Sequence, residues 1–204
     1  MGLDPAVWNG AKARRTLPLP KTPPHWKTSG TVGVVDERQA LIAIKNANPA
    51  SDLGSWTGTD YRSWERVSCT DGRVTSLKLW SKGLTSLPPE IGNLTELEYL
   101  FLTNNELWDL PDEIGKILSL RALHMGRNKL MSVPASIGKL YNLTRLSLDR
   151  NKLSGDVSSW AEPLRKANNI KELRLRGNRC LTAGSNTYLK AWLDRLGRDW
   201  QDGC

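Results

Sequence analysis

The residues able to do chemistry are few and scattered, and that is the first constraint on function. Histidine occurs twice, at His25 and His124, and cysteine three times, at Cys69, Cys180 and Cys204. Neither set has metal-ligand spacing, so no metal site is expected. Gly115-Lys116 and Gly138-Lys139 begin like the end of a phosphate-binding loop, but Ile117 and Leu140 stand where such a loop needs Ser or Thr. No nucleophile elbow, zinc-protease helix motif or dinucleotide fingerprint is present either. The expectation is a protein that is not an enzyme and takes no cofactor.

Charge narrows the choice of partner. The chain of 204 residues has a formal net charge of +8, which favours an acidic partner. Much of the excess lies near the N-terminus, where Lys12, Arg14, Arg15, Lys21 and Lys27 face only Asp4. No zinc-finger spacing, RNA-binding aromatic motif or basic heptad accompanies them, so nucleic acid is not the expected ligand. No apolar run is long enough to span a membrane, and the N-terminus lacks the apolar stretch of a secretory signal. The compartment stays open, and a monomer is expected.

The elements that would position side chains emerge from Asp36 onward. Residues 1–34 contain Pro5, Pro18, Pro20, Pro23 and Pro24 with no hydrophobic period, and read as a disordered Pro/Arg-rich leader. Asp36 with Gln39 resembles a capping box, and Ala40, Leu41, Ile44 and Ala47 recur at helical spacing, ending before Pro49. A tryptophan-rich stretch, LGSWTGTDYRSWERVSC, follows. From Val74 the chain repeats itself every 23 residues, with units beginning at Val74, Leu97 and Leu120, a longer one at Leu143, and a truncated one at Ile170. Five strands are expected.

Within each unit the pattern LxxLxLxxNxL aims its leucines into one core and alternates the intervening residues outward along a short strand. Asn105, Asn128, Asn151 and Asn178 hold the ninth position, where the chain turns and a side-chain amide can satisfy stranded backbone groups of adjacent coils. Pro88, Pro111 and Pro134 then open short helical or 3₁₀ turns along the back. The outward positions form columns. The third reads Ser76, Tyr99, Ala122, Arg145, Glu172; the fifth Lys78, Phe101, His124, Ser147, Arg174; the seventh Trp80, Thr103, Gly126, Asp149, Arg176.

These repeats resemble the leucine-rich-repeat family over Val74 to Leu181, in the plant and bacterial form with LPxxIGxL between strands. The resemblance implies an α/β fold: a curved solenoid of about five coils, a parallel sheet on the concave face and helical caps at both ends. Residues 35–73 are similar to the N-terminal cap of plant receptor-like repeat proteins, 74–179 form the repeats, and 180–204 look like the closing helix of bacterial ones. That plant-type cap implies a disulfide from a Cys two residues before Trp64 to Cys69. Arg62 occupies the first position, so the bridge cannot form and Cys69 is left a buried thiol or a liability. The bacterial-type cap implies a second bridge, Cys180 to Cys204. Leu189, Trp192, Leu193, Leu196 and Trp200 share the apolar face of its helix, while Trp56, Trp64 and Trp160 read as cap or core packing.

The columns bring Trp80, Tyr99, Phe101 and His124 together on the first three coils, beside Arg121, Arg127, Arg145, Arg150, Arg174 and Arg176. Aromatics next to arginines are the composition of energetic centres at protein interfaces. Phe101, the only Phe, falls at an outward position, which is costly without a use. The expected function is recognition of a partner protein on the concave face. Two alternatives are an exported bacterial effector acting in a host cell, suggested by the leader, and a targeting subunit for an enzyme on another chain.

Overall fold

The computed structural model describes residues 37–196 and 200–201; the leader 1–34, Asp36 of the capping box and Cys204 lie outside the described residues. Helix α1 (Glu37–Ala47) buries Ala40, Leu41 and Ile44, whose three- and four-residue spacing makes one apolar stripe against the first coil. Asn48 stops the helix and fastens it. Its Nδ2 donates to the carbonyls of Ile44 at 2.7 Å and Ser86 at 2.9 Å, and its Oδ1 accepts from the amides of Thr85 and Ser86. Trp56 and Trp64 then stack with ring centroids 5.4 Å apart, and each indole N–H donates to a backbone carbonyl, of Glu65 and Thr57 respectively.

Strand β1 (Val67–Thr70) runs antiparallel to β2 (Arg73–Lys78), and β3 (Tyr99–Phe101), β4 (Ala122–His124), β5 (Arg145–Ser147) and β7 (Glu172–Arg174) continue the sheet in parallel. The five parallel strands are the five sequence units. Their register, Ser76–Tyr99–Ala122–Arg145–Glu172, is the third column, so the columns are rows of true neighbours. The hairpin strand β1 is an addition from the cap: it pairs the edge that the first coil would otherwise leave open.

Behind the sheet, 3₁₀ helices at Pro89–Asn93, Asp112–Lys116 and Ala135–Lys139 follow Pro88, Pro111 and Pro134, whose fixed φ leads the chain into the turn. Each buries its Ile. The longer fourth unit replaces the 3₁₀ turn with α2 (Ser158–Ala167), which ends at Asn168 in the left-handed conformation. A second, two-stranded parallel sheet joins β6 (Gly155–Asp156) to β8 (Leu181–Thr182), so repeat-like pairing continues past residue 180, where the cap was expected to begin. Helix α3 (Thr187–Leu196) closes the end with Leu189, Trp192 and Leu193 buried and Leu196 half-buried, while Trp200 is buried with its indole donating to Asp194.

Several expectations need correction. Phe101 is half-buried rather than exposed, because Trp80, Tyr99 and His124 close over it. Ala122 is fully buried, and Ser76 and Ser147 are nearly so, because short side chains on the sheet lie beneath their larger neighbours. Cys69 is half-buried rather than buried, since it lies on the edge strand β1.

Candidate functional site

Trp80, Phe101 and His124 form a line of rings across the first three coils, and Tyr99 stacks beside Phe101 on the same strand. Trp80 meets Phe101 edge-on with centroids 6.1 Å apart, Tyr99 lies nearly parallel to Phe101 at 6.5 Å, and His124 tilts against Phe101 at 5.1 Å. These are favourable aromatic geometries, each adding to what area burial contributes. Parallel register sets the line, since Lys78, Phe101 and His124 face one another across β2, β3 and β4. Trp80 keeps 41% of its surface exposed.

Arg66 extends the line by placing its guanidinium 5.0 Å from the centroid of the Trp80 ring. Periodicity could not reveal it, because Arg66 belongs to the cap and has no place in any repeat column. The Nε2 of His124 is buried with no hydrogen-bond partner. Burial first, then the Arg145 cation, push the His124 pKa below its ordinary value, which favours the neutral ring.

The arginines are less uniform than their columns imply. Arg121 pairs with Glu98 at 3.2 Å and Arg174 with Glu172, both partly exposed contacts worth little in stability. Arg127, Arg145 and Arg150 make no ion pair among the described residues, whereas Arg176 has a partner. Arg150, Arg174 and Arg176 line a hollow of about 380 Å³ together with Asp149, Glu172, Leu173 and Leu196, so this end of the sheet carries both signs of charge.

Beneath the surface, the asparagines stitch coil to coil. Asn128 accepts from the amide of Leu107 and donates to the carbonyls of Leu102 and Met125 at 2.9 and 3.0 Å; Asn151 and Asn178 repeat this pattern. Asn105 accepts from two amides, those of Lys82 and Leu84. The first coil has Lys82 at this position. Its buried stem carries Nζ to Asp52 at 2.6 Å, and the pair holds the Asp52 carboxyl below its usual range.

The cap has its own polar centre. Glu37 is buried and accepts from Arg73 Nε at 2.9 Å, from the Val74 amide at 3.0 Å and from the Tyr61 hydroxyl, so one carboxylate joins α1 to the first hairpin. Burial and the Glu37 charge raise the Tyr61 phenol. Burial, then Glu37, also raise the free Cys69 thiol. Cys180 is disulfide-bonded, and its expected partner Cys204 lies outside the described residues. Among the described residues, no group of His, Cys, Asp and Glu gathers as a metal site would require. None of their helices is long and apolar enough to cross a membrane.

Comparison with known proteins agrees with this architecture. Residues 74–198 match the family model described as a leucine-rich repeat region, and residues 35–70 match the leucine-rich-repeat N-terminal domain. Over 79 residues the chain is 40% identical to the receptor-like kinase TMK4 of Arabidopsis thaliana, a match covering 38% of this chain and 8% of that protein. The chain thus corresponds to a small part of that relative. Among solved structures, a chain of the BIR3–SERK2 complex from Arabidopsis thaliana superposes with a TM-score of 0.69 and 30% identity, covering 80% of this chain and 90% of that one. The ectodomain of the receptor kinase SOBIR1 from the same organism gives 0.59 and 29%, with coverages of 72% and 82%. The matched family model spans more than half of the sequence, and the chain belongs to the leucine-rich-repeat family.

Proposed function

We propose that this chain is a recognition module that binds a partner protein on the concave face of its repeat sheet and catalyses no reaction. The observation that carries the reading is the line of Trp80, Phe101 and His124 across three adjacent coils, with Tyr99 beside it and a large exposed indole at its end. Rigid aromatic surface of this kind contributes contact area at low cost in side-chain entropy, which is why such residues dominate the energetics of interfaces. Likeness to receptor ectodomains supports a protein as ligand. That likeness and the disulfide-bonded Cys180 together support action outside a reducing cytosol. The partner's acidity and the monomeric state belong to the same proposal. The effector alternative rests on residues 1–34, outside the described residues.

The test is affinity capture with the full chain, comparing the native protein with a Trp80→Ala/Phe101→Ala variant and with Tyr188→Ala, which removes an exposed ring on α3. Proteins retained by the native chain and by Tyr188→Ala, but lost with the concave variant, are the expected result. The same set retained by all three would refute concave recognition.

A further inference from the structure

Beyond the strands, where the chain rounds the edge of the sheet, the alternation continues in the first four units: their eighth, tenth and twelfth residues point outward while the ninth and eleventh are buried; in the fifth, Cys180 is exposed and Leu181 buried. This rim carries features that packing does not explain. The eighth residue is in the left-handed region in every coil, at φ of 55° for Ser81, 60° for Asn104, 57° for Arg127, 53° for Arg150 and 71° for Gly177. Asn and Gly suit that conformation; Arg does not. Two neighbouring coils nonetheless place Arg there, next to each other, since the Arg127 amide donates to the Asp149 carbonyl.

The tenth column repeats the charge. Glu106, Lys129, Lys152 and Arg179 lie on successive coils, and only Lys129 is neutralised, by Glu106 at 2.8 Å. Arg127, Arg150, Lys152 and Arg179 have no ion-pair partner among the described residues. Like charges on adjacent strands about 5 Å apart repel, so both the charge and the backbone conformation oppose stability here. The twelfth column supplies the third feature. Trp108 and Met131 are 57% and 60% exposed on adjacent coils, joined by a hydrogen bond from the Met131 amide to the Trp108 carbonyl.

We propose that this rim is a second interaction surface, separate from the concave line, and that it binds an acidic segment of a partner protein bearing an aromatic or large aliphatic residue. Carboxylates would meet Arg127, Arg150, Lys152 and Arg179, with the two guanidinium forks suited to bidentate pairing. The apolar residue would cover Trp108 and Met131. That apolar pair selects a polypeptide, because a sulfated polysaccharide or a nucleic acid backbone would satisfy the cations and leave Trp108 bare.

The probe is a fluorescein-labelled peptide of alternating Asp and Glu around one central Trp, with a counterpart in which Gly replaces that Trp. Anisotropy on the full chain should show binding at low ionic strength, with the Trp peptide about tenfold tighter than the Gly peptide. Arg127→Asn with Arg150→Asn, which installs the residue found at Asn104, should weaken the Trp peptide at least about tenfold while raising the melting midpoint by about 2–4 °C. Trp108→Thr should erase the preference for Trp, and Trp80→Ala/Phe101→Ala should leave both peptides unaffected, which separates this surface from the concave one. No peptide binding, or unchanged binding to the double Asn variant, would overturn the proposal. So would heparin or single-stranded DNA binding as tightly as the Trp peptide and indifferent to Trp108→Thr.

Discussion

Asn128 shows how one side chain can hold two coils. It satisfies one amide and two carbonyls at a position where water has little access, so its removal strands backbone groups rather than merely deleting a contact. Asn128→Ala should therefore cost about 1–3 kcal/mol, read as a lowered midpoint in chemical denaturation. An unchanged midpoint would mean that the ladder bears no weight. His124 gives a pH prediction. Its pKa is depressed in the folded chain, by burial and then by Arg145, with Arg174 acting in the same sense and Glu172 and Asp149 opposing. The stability of the neutral ring is thus fully present above its ordinary value near 6.5 and is lost as pH falls below it, because the unfolded chain binds the proton first. Between pH 6.5 and 5 the native melting temperature should fall more steeply than that of His124→Phe; parallel curves would contradict this. At this scale the sequence was readable wherever a residue had a column. Asn105 to Asn178 and the four rings had one, whereas Asn48, Arg66 and Glu37 act from the cap, where no period assigns partners. Trp108 and Met131 do stand in a column, the twelfth, but it lies beyond the strand positions that the repeat pattern assigns, although the in-and-out alternation carries on to it.

The elements follow from short-range rules that the sequence states openly. Pro opens each back turn, Ile fills the core and Gly permits neighbouring turns to touch. A Cβ on Gly115 would lie 2.5 Å from the Ser136 carbonyl oxygen and 2.7 Å from its Cβ, closer than atoms can approach without a backbone shift. Gly115→Ala should destabilise by about 1–3 kcal/mol through overpacking, checked by calorimetry against Gly54→Ala, where nothing lies within 4 Å. Equal effects at the two sites would remove the explanation. The five parallel strands, the three 3₁₀ turns and both end helices were all legible because each has a period or a breaker. Strand β1 and the small β6–β8 sheet were not. Both consist of a few residues whose pairing is decided by where adjacent coils place them, a tertiary cause with no local pattern.

For the whole molecule, a stack of coils needs closure at both ends, and the two ends solve this differently. The N-terminal side uses α1, the tryptophan pair and Glu37; the C-terminal side uses α3, Trp200 and a disulfide at Cys180. Thiol counting on denatured, unreduced protein should find a single reactive group, Cys69, and three would remove the bridge and favour an intracellular setting. The family and its solenoid were fully legible, since several positions recur in register. The ligand was not, because the repeat constrains what is buried and leaves outward columns free to vary. The measurement closest to the central claim is photocrosslinking with benzoylphenylalanine in place of Phe101, in the middle of the aromatic line, and in place of Tyr188 on the outer end. Adducts to a discrete partner protein from position 101, without adducts to it from position 188, are the predicted result; a partner captured from 188 and never from 101 would contradict recognition on the concave face.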